Sequence, residues 1–269
     1  MSSRAKVLAI DLGGTKIIAT LFDSTGRVLQ SLSLKTEQNF LLQLTKLYQS
    51  LSTNWGKIQV VSLGVPGPVS NSCMESSFPL NTTEETKFDQ CFEGAKQIII
   101  ENDLFMALYA ELSEGVGLVN RNFVLLSIST GIGVGVVIDS KPLKIRSEMG
   151  HQKLFIQSTD NAFSHENFEG WANFSSGRAL ATGHRATDLI DIKTINAVAI
   201  HNLILAYDPE HVVIMGGVAL NLYDSVIPSS TELSRLFGGR EVKISKTKLG
   251  AEIGVRGAFL LAKYSLSKT

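Results

Sequence analysis

Apolar residues fall along this chain in short runs of two periods, and their alternation predicts an α/β protein. Residues 7–10 and 17–22 are rich in β-formers and bracket Asp11-Leu12-Gly13-Gly14-Thr15-Lys16, the pattern of a hairpin. A third strand is predicted over residues 28–34, a helix over 40–51 and a buried strand over 59–65. Gly64-Val65-Pro66-Gly67-Pro68-Val69 reads as a rigid turn, and residues 70–89 as a polar loop or short-strand excursion. A strand at 98–100 and a helix at 104–112 follow. Beyond Gly115 to Gly117 the alternation restarts, with strands at 123–129 and 134–138, a polar segment at 152–167, and helices from Phe174 and from Thr194. A strand at 212–215 then enters Gly216-Gly217 and a helical stretch at 219–226. The small residues of 250–258 open a last helix and suit tight packing across a domain hinge.

The second half repeats the first hairpin. Ser129-Thr130-Gly131-Ile132-Gly133-Val134-Gly135 again separates two strand-like runs, and LAIDLGGTKIIATLFDSTG and LLSISTGIGVGVVIDSKP share one order of strand, glycine turn, strand and Asp. An internal duplication is expected, with two glycine hairpins on opposite sides of a cleft. Glycines at such tips are expected to adopt positive φ, and their exposed N–H groups to bind phosphate oxygens. Thr15 adds a hydroxyl, Lys16 a charge, and Asp11 a carboxylate for a nucleotide-bound cation. An ordinary hairpin turn has the same composition. No GxxxxGK[ST] occurs, and each glycine turn leads into a strand and not a helix, which disfavours a dinucleotide fold. Gly216-Gly217 can lay backbone against a flat ligand such as adenine, or simply join a strand to a helix.

Composition narrows the classes. A chain of 269 residues with 44% hydrophobic content suits one to two domains with real cores. Formal charge is zero and no basic stripe with interleaved aromatics occurs, which argues against nucleic acid and for small soluble partners. The start lacks an apolar signal core, and no apolar run approaches the ~20 residues of a membrane helix, so a cytoplasmic protein is expected. Cys73 and Cys91 lack metal spacing and activating neighbours, and read as structural.

Two polar constellations carry candidate chemistry. Glu101-Asn102-Asp103 stands where a buried strand ends and a helix begins. A carboxylate there can orient a hydroxyl nucleophile and accept its proton during phosphoryl transfer. It is equally the pattern of a helix N-cap, which would stabilise by about 1 kcal/mol and pull the carboxylate pKa down. In Glu148-Met149-Gly150-His151, a carboxylate and an imidazole three apart can converge on the vicinal hydroxyls of a sugar, or form a solvated loop.

These residues together resemble the ROK family of sugar kinases and sugar-responsive repressors, within the actin-like ATPase superfamily. The likeness runs from Asp11 to Ala258: DLGGTK, GVPGPV, END, STGIGVGVV and SEMGH match five ordered motifs of the family. It implies a two-lobed actin-like (ribonuclease H-like) fold, with duplicated β-sheet domains flanking a nucleotide cleft. The N-terminal lobe would hold residues 1–115 with a C-terminal helix 254–269, and the C-terminal lobe residues 116–253. The resemblance implies ATP and Mg²⁺ as cofactors, with Asp11, Gly13, Gly14, Thr15, Lys16, Thr130, Gly131 and Gly133 around the phosphates. Gly216 and Gly217 would lie near the adenosine, and Asp11 would meet the metal through the nucleotide. Asp103 becomes the catalytic base, and Asn102, Glu148 and His151 hold the sugar. Asn81, in FPLN, and Glu169, before a Ser-Gly turn at 176–177, are added as sugar contacts. A homodimer is implied by the resemblance alone.

One departure concerns metal. Many family members follow ExGH with a cysteine-rich, zinc-binding segment, whereas residues 152–168 here contain no cysteine. No zinc is expected, and His151 then needs another partner to fix its ring. The repressors carry a helix-turn-helix before the first phosphate motif, and ten residues precede Asp11 here, so DNA binding is not expected. The expected activity is ATP-dependent phosphorylation of a hexose or N-acetylhexosamine, at C6, in the manner of a glucokinase or N-acetylmannosamine kinase. The rivals are a non-catalytic sugar-binding sensor of the same fold and a mechanical ATPase of the actin type.

Overall fold

A computed structural model describes residues 6–144, 148–155, 168–182 and 189–267. The chain divides into two units, one of Met1–Ser113 with Leu249–Thr269 and the other of Glu114–Lys248.

In the first unit, strands β1 (Val7–Leu12), β2 (Lys16–Phe22), β3 (Val28–Lys35) and β4 (Val60–Val65) are followed by the short pair β5 (Val69–Ser70) and β6 (Cys73–Met74), then β7 (Gln97–Asn102). The main sheet has the order β3-β2-β1-β4-β7. The β1–β2 and β2–β3 pairs are antiparallel, while β1–β4 and β4–β7 are parallel. The central strands β1 and β4 are mostly apolar because both faces are covered, with Asp11 near the end of β1 and Ser62 within β4 as exceptions. On β1, Leu8, Ile10 and Leu12 pack with Leu44 and Leu51 of α1 (Phe40–Trp55). Ala9 faces the other way, with Met106 of α2 (Asp103–Glu114) and Val255 and Ala258 of α9 (Ile253–Ser267). The two-residue period of a strand therefore aims Asp11 toward α9 as well.

The second unit contains β8 (Phe123–Ile128), β9 (Ile132–Ile138), β10 (Lys141–Pro142), β11 (Lys153–Phe155), β12 (Phe168–Gly170), β13 (His211–Met215) and β14 (Lys243–Lys246). Its main sheet runs β10-β9-β8-β13-β14, with the same succession of antiparallel and parallel neighbours as the first. One unit duplicated would produce this identity of order. Helices α3 (Ala172–Ser175), α4 (Gly177–Thr182), α5 (Leu189–Tyr207), α6 (Gly217–Asn221), α7 (Tyr223–Val226) and α8 (Ser230–Phe237) complete it. Val124, Leu126 and Ile128 of β8, Val212 and Ile214 of β13, Trp171, and Ile200 and Leu203 of α5 form its core. No helix among the described residues is long and apolar enough to cross a membrane. Cys73 and Cys91 are buried free thiols; the Glu85 side chain, then burial, raises the pKa of Cys73, and burial raises that of Cys91.

His211, at the start of β13, is buried, and its Nε2 lies 2.8 Å from the Ser245 hydroxyl of β14. Burial, aided by the Lys243 charge, pulls its pKa from 6.5 to about 4. The unfolded chain then binds a proton that the folded chain refuses, so stability present above pH 6.5 is lost as pH falls toward about 4. Thermal melts between pH 7 and 4 should show this loss, and His211→Gln should flatten it. An unchanged pH slope in the variant would refute the assignment.

Candidate active site

In the first unit the candidate residues gather at the carboxyl ends of the parallel strands, where open α/β sheets place their ligands. Asp11 pairs with Gly64 across β1–β4, Gly64 with Glu101 across β4–β7, and Asp103 follows directly. Gly64 makes room: a Cβ there would stand 3.2 Å from Met106 Sδ and 3.4 Å from the Asp103 Cα.

Asn102, not Asp103, caps α2. Its Oδ1 accepts from the Phe105 N–H at 3.2 Å, and its Nδ2 donates to the Gly67 carbonyl at 3.1 Å, tying the GVPGPV turn to the strand end. One Nδ2 hydrogen is left for a ligand. Asp103 is the first helical residue, and its Oδ1 accepts from the Leu104 N–H at 2.7 Å. The expected downward pKa shift is overturned. Burial, then repulsion from Asp11, raises Asp103 to about 7 despite that hydrogen bond. Burial likewise raises Asp11 to about 6, partly offset by Lys16. Both residues are half-buried.

The first glycine hairpin differs from expectation in detail. Neither Gly13 nor Gly14 has a positive φ. Gly14 is required by close approach: a Cβ would stand 2.7 Å from both Cβ and the carbonyl oxygen of Pro79. The loop carrying Asn81 is thereby pressed onto the hairpin, with Asn81 itself exposed at φ 54°. The Gly13 N–H is taken by the Lys16 carbonyl at 2.9 Å, while Thr36 Oγ1 donates to the Gly13 carbonyl at 2.7 Å. The N–H groups of Gly14 and Thr15 have no acceptor among the described residues. The side chains of Thr15 and Lys16 are exposed.

In the second unit the turn Ser129 to Gly131 is closed by the Ser129 N–H donating to the Gly131 carbonyl at 2.9 Å. Thr130 and Gly131 are exposed at its tip, whereas Gly133 lies inside β9 opposite Ser127. Three segments dock on this hairpin through missing side chains. Gly216, at φ 95°, has no room for a Cβ beside the Ile128 backbone, and Gly150 has none beside the Ile132 carbonyl. Gly177 donates its N–H to the Ser129 carbonyl at 2.6 Å, with only 2.8 Å between that oxygen and any Cβ. Gly217 opens α6 and is exposed. Glu148 and His151 flank a 3₁₀ turn with Oε2 and Nε2 3.8 Å apart, both exposed. Glu169 Oε1 accepts from the Gly170 N–H at 3.0 Å and from Asn173 Nδ2.

Residues 156–167 of the cysteine-free stretch lie outside the described residues. Among the described ones no cluster of three or more His, Cys, Asp or Glu side chains could hold a metal ion.

Residues 7–265 match the sequence model of the ROK family. The chain belongs to the ROK family. The glucokinase of Pyrobaculum calidifontis is 26% identical, over 96% of this chain and 95% of that protein. The N-acetyl-D-glucosamine kinase of Haemophilus influenzae is also 26% identical, over 94% and 97%. The crystal structure of the ROK hexokinase from Thermus thermophilus matches with a TM-score of 0.71 at 25% identity, covering 98% of this chain and all of that one. The fold of this ROK protein is that of the actin-like ATPases.

Three structural participants escape motif reading: Pro79, Gly177 and Gly254. Gly254, in the first turn of α9, lies against Asp11, whose carboxylate occupies the space a Cβ would need; Gly257 likewise abuts the Met106 carbonyl. Gly254 and Gly257 of this helix thus serve packing inside the first unit. Gly→Ala within a helix ordinarily stabilises by about 1 kcal/mol. Gly254→Ala should instead lower the melting temperature, and the same substitution in an Asp11→Ala background should raise it. Equal shifts in the two backgrounds would show that the Asp11 contact is not what Gly254 accommodates.

Proposed function

We propose that this protein is an ATP-dependent kinase that phosphorylates a hydroxyl of a hexose or N-acetylhexosamine, at C6, with Asp103 as general base. The observation that carries the reading is the state of Asp103: a carboxylate at a strand end, raised to about 7 by burial and Asp11, is basic enough at neutral pH to accept a hydroxyl proton. The chain is a phosphotransferase with an alcohol acceptor, and its relatives are named for glucose and N-acetylglucosamine.

In the proposed reaction the acceptor oxygen bonds to the γ-phosphorus as the bond from that phosphorus to the β–γ bridging oxygen breaks. The hydroxyl proton passes to Asp103, and ADP leaves. The free N–H groups of Gly14, Thr15, Thr130 and Gly131 would bind phosphate oxygens, with Lys16 adding charge. Gly13 and Gly133 would act by shaping the hairpins, and Gly216 and Gly217 would lie against the adenosine. Asn81, Asn102, Glu148, His151 and Glu169 would bind the sugar. Asp11 suits a magnesium site: it is a crowded carboxylate whose charge Lys16 partly offsets, and a nucleotide-bound Mg²⁺ would relieve it and neutralise phosphate charge.

ADP release with Mg²⁺-ATP across glucose, fructose, mannose, N-acetylglucosamine and N-acetylmannosamine tests this reading. Sugar-stimulated release should fall at least ~100-fold in Asp103→Asn. Retention of most turnover by that variant would exclude the base, and sugar binding without turnover in the native protein would favour a sensor.

The pH dependence follows from the same pair. Asp103 is protonated below about 7, so kcat/KM should fall about tenfold per pH unit on the acid side. Asp11→Asn removes a neighbouring negative charge, which should move that limb to lower pH in whatever activity remains. A limb that stays in place would show that the carboxylates do not interact.

A further inference from the structure

The turn bearing Glu148 and His151 is fastened to α5 by side-chain amides. Gln152, directly after His151, accepts at Oε1 from Asn202 Nδ2 at 3.0 Å and donates from Nε2 to the Ala199 carbonyl at 3.4 Å. Its own carbonyl accepts from the Trp171 N–H at 2.9 Å. The Trp171 ring is fully buried, and its Nε1 donates to Asn196 Oδ1 at 2.6 Å; Asn196 in turn donates from Nδ2 to the Val226 carbonyl at 2.8 Å. Asn196, Ala199 and Asn202 are three apart, which places them along one side of the helix.

We propose that Gln152, Asn202 and Asn196 are positioning residues that hold the Glu148–His151 turn in register by amide hydrogen bonds, without a metal ion. Asn196 is completely buried with both ends of its amide bonded, an arrangement that specifies one packing because any slip would leave buried polar groups unpaired. The bond from Asn202 to Gln152 carries that register one residue short of His151. Gly150 completes the placement by lying on the Ile132 backbone of β9. Between Gly150 and Gln152 the backbone is pinned on both sides, so His151 and Glu148 face each other from a fixed turn while their side chains stay exposed.

The inference concerns the acceptor side of the proposed kinase and rests on that reading only for its kinetic consequence. Hydrogen exchange tests the physical part alone. In Asn202→Leu and, from the other side of the bond, in Gln152→Leu, amides of residues 148–155 should exchange about tenfold faster, with α1 and the β1–β2 hairpin unaffected. Treating the native protein with a chelator should leave the same amides unchanged. Kinetically, each variant should raise the sugar KM about fivefold, the loss of roughly one hydrogen bond, with the ATP KM unchanged. The double variant should be no worse than the poorer single one, since both remove the same bond. Unchanged exchange in both variants, chelator-sensitive exchange in the native protein, or a rise in ATP KM equal to that for sugar would overturn the proposal. Faster exchange in a protein with no sugar-dependent turnover would leave the fastening standing and remove the kinase reading.

Discussion

Two carboxylates at the ends of neighbouring strands, kept largely from water and close enough to repel one another, set the terms for the first unit. Asp11 and Asp103 carry pKa values of about 6 and about 7 where an ordinary aspartate has 3.8. The folded protein therefore holds protons that the unfolded chain releases, and the stability linked to them is lost as pH rises from about 4 through about 7. At neutral pH Asp11 is mostly ionised and Asp103 about half so, and the charge the fold keeps there must be offset by hydrophobic burial elsewhere. Everything nearby is shaped to hold it: Gly64 leaves space for the Asp103 backbone, Gly254 yields its side-chain volume to the Asp11 carboxylate, and Gly257 brings α9 down on α2. Such local cost is expected where a group must be more basic than its type allows.

The second unit uses the same topology with a different device. No acidic pair stands at the ends of β8 and β13. Instead Gly150, Gly177 and Gly216 let three segments lie backbone to backbone around the Ser129–Gly131 turn. Packing of this kind fixes amide directions without side-chain freedom, which suits binding an anion through N–H groups, because little ordering remains to be done when the ligand arrives. It also leaves polar side chains on short turns: Glu169 accepts from the Gly170 N–H and the Asn173 amide, and the turn of Glu148 and His151 is followed by Gln152, whose amide is bonded to Asn202.

Much of this was legible in the sequence. The β-former runs around both glycine turns, the helix that begins at Phe40 and the strand at 98–100 appear where periodicity placed them, because their apolar faces are the ones that become buried. The helix predicted from Thr194 begins earlier, at Leu189, and the stretch 219–226 breaks into α6 and α7 at Leu222. Helix α8 was passed over, although Ser229 and Glu232 form a capping box, because a short amphipathic helix with one buried residue gives almost no apolar period. The reasons for the glycines were the hardest to see. Local sequence points to positive φ at Gly13 and Gly14, but the requirement at Gly14 comes from Pro79 and that at Gly254 from Asp11, partners that only the fold brings near. The Asp103 pKa failed for the same reason: the cap is local and visible, whereas burial and the Asp11 charge are tertiary.

A site built this way explains why about a quarter of identical residues is enough to keep a family's chemistry recognisable. The hairpins and strand ends are placed by backbone pairing and glycine contacts, and any sequence that preserves two sheets of this order with small residues at a few contact points preserves them. The Asn81 loop and the Glu148–His151 turn are fastened by fewer contacts. Asn81 sits on a loop fixed to the first hairpin through Pro79, and the Glu148–His151 turn hangs on amides of α5. Relatives named for glucose and for N-acetylglucosamine are equally similar to this chain, so overall identity does not choose between those sugars, and a choice of acceptor must lie in a few local contacts.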